Sequence, residues 1–369
     1  MTPRGEMAPQ QPVISPAAGF RARRSAPPGR SGSGSAASGP PLAEDAPSFD
    51  ALIAGLGAAR PEDRWRAAEA LSRIGKPAIP ALVRALRHDD PYVRRHSAEV
   101  LGRVGGDQAT AALIAGLNDS SGVVRERVAE ALAALGRPEA AYALRIVLVS
   151  DTVPSVRAIA AEALGKLRGK SAVVPLVTAI SDTNPGVRWS VAGALGATKS
   201  RRSVRPLIRL LQDEDSGVRC SAADALARLA SHRGQEPLAE AMRDKDPNVR
   251  WHAVDALSKL KGPRVVQIFF AALEDADPGV RWRAASALGR TGKGYPAVVD
   301  ALVGSLKDED ANVRAYAAEA LGKLEDGRAL PALRELMEDG EEARFLGKIA
   351  DIAWVAVHRL ERRSRRASL

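Results

Sequence analysis

The chain has 369 residues, 45% of them hydrophobic but only 4% aromatic, with a net charge of +10 and one cysteine, Cys220. An intramolecular disulfide is therefore excluded, no apolar run reaches the roughly 18 residues of a membrane-spanning helix, and the core has to be packed from Ala, Val and Leu. The charge sits at the ends: residues 1–47 hold +2 and residues 359–369 hold +4, which leaves +4 for everything between and argues against a dedicated nucleic-acid binder, whose charge gathers on one folded face.

Residues 1–47 are rich in Pro, Gly, Ser and Arg and lack hydrophobic periodicity. They read as a disordered tail. A lone cysteine and the absence of a secretory signal point to the cytoplasm. An Arg- and Ser-rich transit peptide for an organelle stands as the alternative. Residues 361–369 read as a basic C-terminal tail that carries an Arg-Arg-Ala-Ser motif ending at Ser368.

Between the tails, over residues 48–360, the sequence repeats. Taking the Arg of each "V-R" or its equivalent as anchor gives Arg64, Arg94, Arg125, Arg157, Arg188, Arg219, Arg250, Arg281 and Arg314. Successive anchors lie 30 to 33 residues apart, and a degenerate tenth, Arg344, follows. Periods of this length mark stacked supersecondary units. Each unit reads as two helices. In the fifth, the first helix covers 172–180 and the second covers 185–198. Pro stands three residues before the anchor at 61, 91, 154, 185, 247 and 278. One residue earlier stand Asp90, Asn184, Asp215, Asp246, Asp277 and Asp310, and an Asp or Asn followed by Pro reads as an N-cap followed by the first helical residue. Gly75, Gly136, Gly262 and Gly292 are placed to close second helices. The last second helix looks long, from about Glu341 to Arg363, and Ile349, Ile352, Trp354 and Val355 would close the apolar end of the stack. The predicted class is all-α, a right-handed α-α superhelix of about ten two-helix repeats.

The pattern D-x-D-P-x-V-R-x-x-A-x-x-A-L-G, preceded by A-x-x-x-L-x-x-A-L, resembles HEAT-like repeats of the bilin-lyase type. That resemblance implies an Asp six residues before each anchor Arg and a ladder of hydrogen bonds between repeats. The matching pairs are Asp182 and Arg188, Asp213 and Arg219, Asp244 and Arg250, Asp275 and Arg281, and Asp308 and Arg314, with Asp119 and Asp151 before Arg125 and Arg157. Ala58 and His88 replace the Asp in the first two repeats, so the ladder is expected to be incomplete there. These pairs are read as structural rather than catalytic, because an Arg at a core edge has to be paired.

A helix turns about 100° per residue, which sorts the second helix into faces. Offsets −1, +3, +4, +6, +7 and +10 from the anchor fall toward the core. Offsets +1, +2, +5 and +9 fall away from it and should form columns on the concave side. The +1 column holds Trp65, Trp189, Trp251 and Trp282, and also Cys220. The +5 column is acidic and includes Asp224 and Asp255; the +9 column is basic and includes Arg228, Lys259 and Arg290. Exposed aromatics usually mean contact, so these nine charged and aromatic residues are the candidate partner-binding groove.

No metal-ligand spacing, P-loop or nucleophile elbow occurs, and no catalytic, metal or cofactor residues are assigned. One HEAT-like enzyme, deoxyhypusine hydroxylase, places His-Glu dipeptides just after the Arg, where this chain has Trp65-Arg66, Arg95-His96 and Glu126-Arg127. The expected function is a non-catalytic scaffold that binds a segment of a partner protein, as a monomer or a hetero-oligomer, with no membrane insertion. The resemblance implies an alternative, a bilin lyase or isomerase subunit. Nucleic-acid binding through the basic column is a further alternative, opposed by the acidic column beside it.

Overall fold

The computed structural model describes residues 47–167 and 172–367. Residues 1–46 of the tail read at 1–47, and the motif serine Ser368, lie outside them. Twenty α-helices are described, arranged as ten pairs. The first helices are α1 Phe49–Gly55, α3 Ile79–Ala85, α5 Asp107–Gly116, α7 Ala141–Ser150, α9 Val173–Thr178, α11 Val204–Leu210, α13 Gln235–Ala241, α15 Pro263–Leu273, α17 Pro296–Ser305 and α19 Leu330–Glu335. The second helices are α2 Pro61–Ile74, α4 Pro91–Val104, α6 Gly122–Leu135, α8 Pro154–Leu167, α10 Pro185–Ala197, α12 Ser216–Leu229, α14 Pro247–Leu257, α16 Pro278–Thr291, α18 Ala311–Leu324 and α20 Ile349–Ala367. Each second helix packs on its own first helix and on the second helices before and after it. The result is a two-layered all-α superhelix.

Local chemistry sets the helix ends. The side chains of Asp90, Asn184, Asp215, Asp246, Asp277 and Asp310 all accept backbone N–H bonds at the N-termini of their second helices. Gly75 and Gly136 close α2 and α6 at positive φ. Gly262 does not close α14, which ends at Leu257; it precedes Pro263 and opens α15.

The seam between second helices depends on an offset that the facial sorting left unassigned. At +8, Gly165, Gly196 and Gly289 meet an Ala of the next repeat. A Cβ there would lie 2.8 Å from the Cα of Ala194, Ala225 and Ala320 respectively. Glycine against alanine lets these helices approach more closely than the Leu- and Val-lined first helices can. In a curved stack the more closely spaced layer is the inner one, which puts the second helices on the inner wall.

The anchor arginines tie neighbouring repeats together. Nε and Nη2 of Arg219 donate to the two oxygens of Asp244 at 2.7 and 2.8 Å, while Nη1 donates to the Asp213 carbonyl at 2.8 Å. The same three bonds are made by Arg125, Arg157, Arg188, Arg250 and Arg281 with Asp151, Asp182, Asp213, Asp275 and Asp308. Arg94 bonds Asp119 in the same bidentate way. Each Asp six before an Arg therefore gives that Arg its carbonyl, and gives its carboxylate to the Arg of the preceding repeat. One carboxylate oxygen also accepts the backbone N–H two residues on, as Asp244 does from Asp246. At the N-terminal end Arg64 bonds, among the described residues, only the carbonyls of Ala58 and Ala59. His88 Nδ1 accepts the Asp90 N–H in place of the missing carboxylate.

The C-terminal end differs from its sequence reading. Asp339 accepts from Arg314 as an eighth carboxylate rung, with Glu341 accepting from the other branch of the guanidinium. No helix begins at Glu341. Glu342–Ala343 pairs antiparallel with Gly347–Lys348 in a two-residue hairpin, and Gly347 turns it at φ +83°. Arg344, the degenerate anchor, stays out of the ladder and lies over the Phe345 ring. Ile349, Ala353, Ala356, Val357 and Leu360 make the buried face of α20, while Trp354 and Val355 point to solvent. Residues 361–367, read as tail, are the last turns of that helix.

Burial raises the carboxyl pKa of Asp151, Asp182 and Asp213. The paired guanidinium and the turn N–H outweigh that and hold each below the ordinary aspartate value of 3.8. A folded-state pKa below the unfolded one adds stability that is complete above the unfolded value and is lost as pH falls through the folded one. The urea midpoint should therefore be level above about pH 5 and drop steeply below about pH 4. Removing one rung is a sharper test. Asp244→Ala strands Arg219, only 5% exposed, and should lower stability by about 3 kcal/mol, whereas Glu214→Ala, at an exposed carboxylate on the same edge, should cost less than about 0.5 kcal/mol. Equal urea midpoints for the two variants would remove the ladder from the account.

Candidate partner-binding face

Offset +1 lies on the N-terminal turn of each second helix, where the next repeat begins. What a side chain does there depends on its neighbour. Trp65 is 65% exposed and Trp189 is 48% exposed. Trp251 is half-buried: its Nε1 donates to Asp277 Oδ1 at 2.7 Å, on the N-cap of α16. Gly279 makes room for it, since a Cβ there would lie 2.9 Å from the indole ring. Trp282 is also half-buried, stacked on Tyr316 with ring centroids 4.6 Å apart and 6.1 Å from the Phe345 ring. Offset +1 is therefore not one surface: Ala315 at this offset is fully buried, two of the four Trp side chains are packed between repeats, and two are exposed.

The +2 offset, placed away from the core but not singled out in the sequence, links these rings. The Arg283 guanidinium lies 4.6 Å from the Trp251 ring centre and 4.0 Å from that of Trp282. It also donates to the Gly279 carbonyl at 3.1 Å and lies 3.6 Å from Asp255. Trp251, Arg283, Trp282, Tyr316 and Phe345 therefore form one continuous row across repeats seven to nine and the C-terminal hairpin. His252, also at +2, shares a 2.7 Å hydrogen bond with Asp224. That bond raises the His252 pKa against the opposing effect of burial, with Asp255 adding to the rise and Arg283 lowering it.

The charged columns divide by pairing. Of the +9 bases, Arg73 and Arg103 pair with Glu69, and Lys323 pairs with Glu319. Arg228, Lys259 and Arg290 are exposed and have no carboxylate partner among the described residues. Arg228 makes a 3.5 Å bond to the Gly193 carbonyl and Arg290 a 2.9 Å bond to Ser286 Oγ. Asp224 and Asp255 of the acidic column are occupied by His252 and Arg283. The candidate residues of repeats five to eight thus leave free cations beside one well-exposed indole, Trp189. Trp65, in repeat one, lies far along the stack from them. Burial, with Asp246 and Asp224 nearby, pushes the Cys220 thiol up to about 12, so it carries no thiolate at neutral pH.

A second apolar surface escaped the repeat analysis. Tyr142, Ile146 and Val149 of α7 and Val174 of α9 are exposed on the first-helix layer. Their i, i+4, i+7 spacing is visible in the sequence. Among the described residues no group of three or more His, Cys, Asp or Glu is placed to hold a metal ion. No described helix is long and apolar enough to cross a membrane.

HEAT repeats match residues 49–133, 99–164, 142–219, 173–244, 204–275 and 266–349. The chain belongs to the HEAT-repeat family. The match is to HEAT repeats at large and names no bilin-lyase subgroup. No curated protein matches the chain. Among solved structures it is similar to Kap95p, from a study of how Kap95p binding changes the switch loops of RanGDP, at 14% identity and TM-score 0.60 over 85% of this chain and 50% of that one. It is also similar to Kap121p bound to the SUMO protease Ulp1p, at 13% identity and TM-score 0.57 over 88% and 43%. Importin beta matches at 15% identity and TM-score 0.56 over 85% and 50%. The chain spans half or less of the length of these solenoids, and at such identities the likeness is one of fold.

The His252–Asp224 bond can be tested by NMR. The His252 imidazole should titrate with a midpoint above 6.5, and Asp224→Asn should bring the midpoint down. Titration at or below 6.5 in the unaltered protein would mean that the pair is not formed in solution.

Proposed function

We propose that this HEAT-repeat protein is a non-catalytic scaffold that holds an acidic segment of a partner protein against its second-helix face, across repeats five to eight. The observation that carries this reading is the set Arg228, Lys259 and Arg290: three exposed cations in consecutive repeats, at one offset, without carboxylate partners. A solenoid repeats one surface spot per unit, so an extended segment lying along the stack meets these charges in turn. Trp189 adds an exposed indole at the start of that path. The Trp251–Arg283–Trp282 row is already packed, so it presents a rigid wall with little side-chain entropy left to lose on binding. Kap121p, a solenoid of similar fold, is bound to a protein, Ulp1p, which supports the reading by analogy of fold alone.

Site-specific photo-crosslinking tests it. A photoreactive phenylalanine analogue at position 189 should capture a discrete partner in the source cells, and charge reversal of Arg228, Lys259 and Arg290 together should abolish that capture. The same probe at position 146, on the exposed first-helix stripe, should not capture it. Capture from position 146 alone, or capture from 189 that survives the triple reversal, would assign the interaction to another surface.

A further inference from the structure

The two edges of the repeat stack differ in charge. Turns from first to second helix carry the ladder carboxylates and the N-cap acids. Turns from second helix to the next first helix carry bases. At some of these turns a cation is tied: Arg137 to Asp107, Arg264 to Glu236, Lys293 to Glu325, and Arg328 to Asp300 and Asp326, while Lys76 and Lys261 stand singly without a carboxylate partner among the described residues. Around repeats five to seven untied cations gather. The turn between α10 and α11 brings Lys199, Arg201 and Arg202, and the turn between α12 and α13 brings His232 and Arg233. All five are exposed, and none has a carboxylate within ion-pair distance among the described residues.

These two turns enclose a hollow of about 370 Å³. Lys199, Arg201, His232 and Arg233 line it, and Val204 and Leu229 give it an apolar floor. Lys199 adopts a left-handed backbone, φ +52°, at the end of α10. The parallel turn one repeat on has Ala230 at φ +44°. The two turns are thus built alike and present their cations to one space.

We propose that this hollow binds the phosphomonoester of a phosphorylated serine or threonine in a partner protein. Several cations that converge without a carboxylate repel one another, and an anion placed among them relieves that repulsion. A phosphomonoester brings nearly two charges and three acceptor oxygens to one point, whereas the carboxylates of an acidic peptide are spread along its chain. Val204 and Leu229 offer contact to the side chain beside the modified residue. A nucleic acid fits less well. Toward the C-terminus the next turn adds only Lys261 before Arg264 pairs with Glu236, and no Phe, Tyr or Trp lines the hollow for base stacking. The site lies on the edge of the stack and uses none of the groove residues, so it stands or falls separately from the scaffold reading.

The probe is a fluorescent ten-residue peptide pool with a fixed central phosphoserine and randomised flanks, compared with the same pool carrying serine. By fluorescence anisotropy the full chain should bind the phosphorylated pool at least about tenfold more tightly. The double variant Arg201→Glu, Arg233→Glu should lose that preference with an unchanged thermal melt, since both side chains are exposed. Trp189→Ala with Arg228→Glu should keep it. Equal binding of the two pools would overturn the proposal, as would a preference that survives the double variant. Stronger competition by phosphatidylinositol-phosphate vesicles or by oligothymidine than by the phosphorylated pool would also overturn it, assigning the hollow to a lipid headgroup or to nucleic acid.

Discussion

Each anchor arginine serves two repeats at once. Its Nη1 closes the turn of its own unit by bonding the carbonyl six residues back, and its other two donors grip the carboxylate of the next unit. That carboxylate in turn caps the backbone two residues on. Every rung therefore fixes the turn of one unit and the position of the next through the same few atoms. Arg188, Arg219 and Arg281 are buried, where an unpaired guanidinium would be very costly. The consequence is register. A unit that slipped along its neighbour would leave a buried charge without a partner. The glycine–alanine seam acts in the same sense, because only one alignment sets Gly196 against Ala225.

This division of labour explains what could be read from the sequence. The anchor period, the Asp-Pro and Asn-Pro caps and the core offsets are local patterns that repeat, so errors in one unit are corrected by the others. The direction of each rung was less visible. Asp213 precedes Arg219 by six residues, yet its carboxylate binds Arg188, because the stacking of units and not chain proximity decides the partner. The Trp column was legible as a column but not as a surface. Whether Trp251 is packed or free depends on Gly279 and Asp277 in the following repeat, and the same offset in repeat five leaves Trp189 open. Arg283 was missed because its importance lies in two rings that come from two different helices. The final unit was misread for the opposite reason: it departs from the repeat, so the repeat gave no guidance.

A stack of this kind separates its surfaces by turn and by layer. Acids gather where a helix N-terminus needs a cap, on the turns that lead into second helices. On the opposite turns side-chain caps are sparser, Ser200 and Asp326 among the described residues, and there the sequence places Arg and Lys. The inner layer is restricted by close helix approach to small residues at its seams, and its outward-facing larger side chains include those at offsets +1, +2, +5 and +9. The outer layer lacks that restriction and can expose Tyr142, Ile146 and Val149. Four chemically distinct surfaces thus arise from one repeated pair of helices.

The C-terminal hairpin joins two of these roles. It ends the ladder, because Asp339 and Glu341 take the last guanidinium, Arg314, and Asn312 accepts the N–H of Arg344. It also extends the aromatic row, because Phe345 comes within 6.1 Å of Trp282. Trp282 carries Arg283, and Arg283 carries Trp251. The closure of the stack is therefore mechanically continuous with the inner face of repeats seven and eight. A solenoid is otherwise a chain of nearest-neighbour contacts, in which an end unit influences only the next. Here side chains on the surface carry the influence of the cap two repeats further, as far as Trp251 in repeat seven, within the face proposed for the partner.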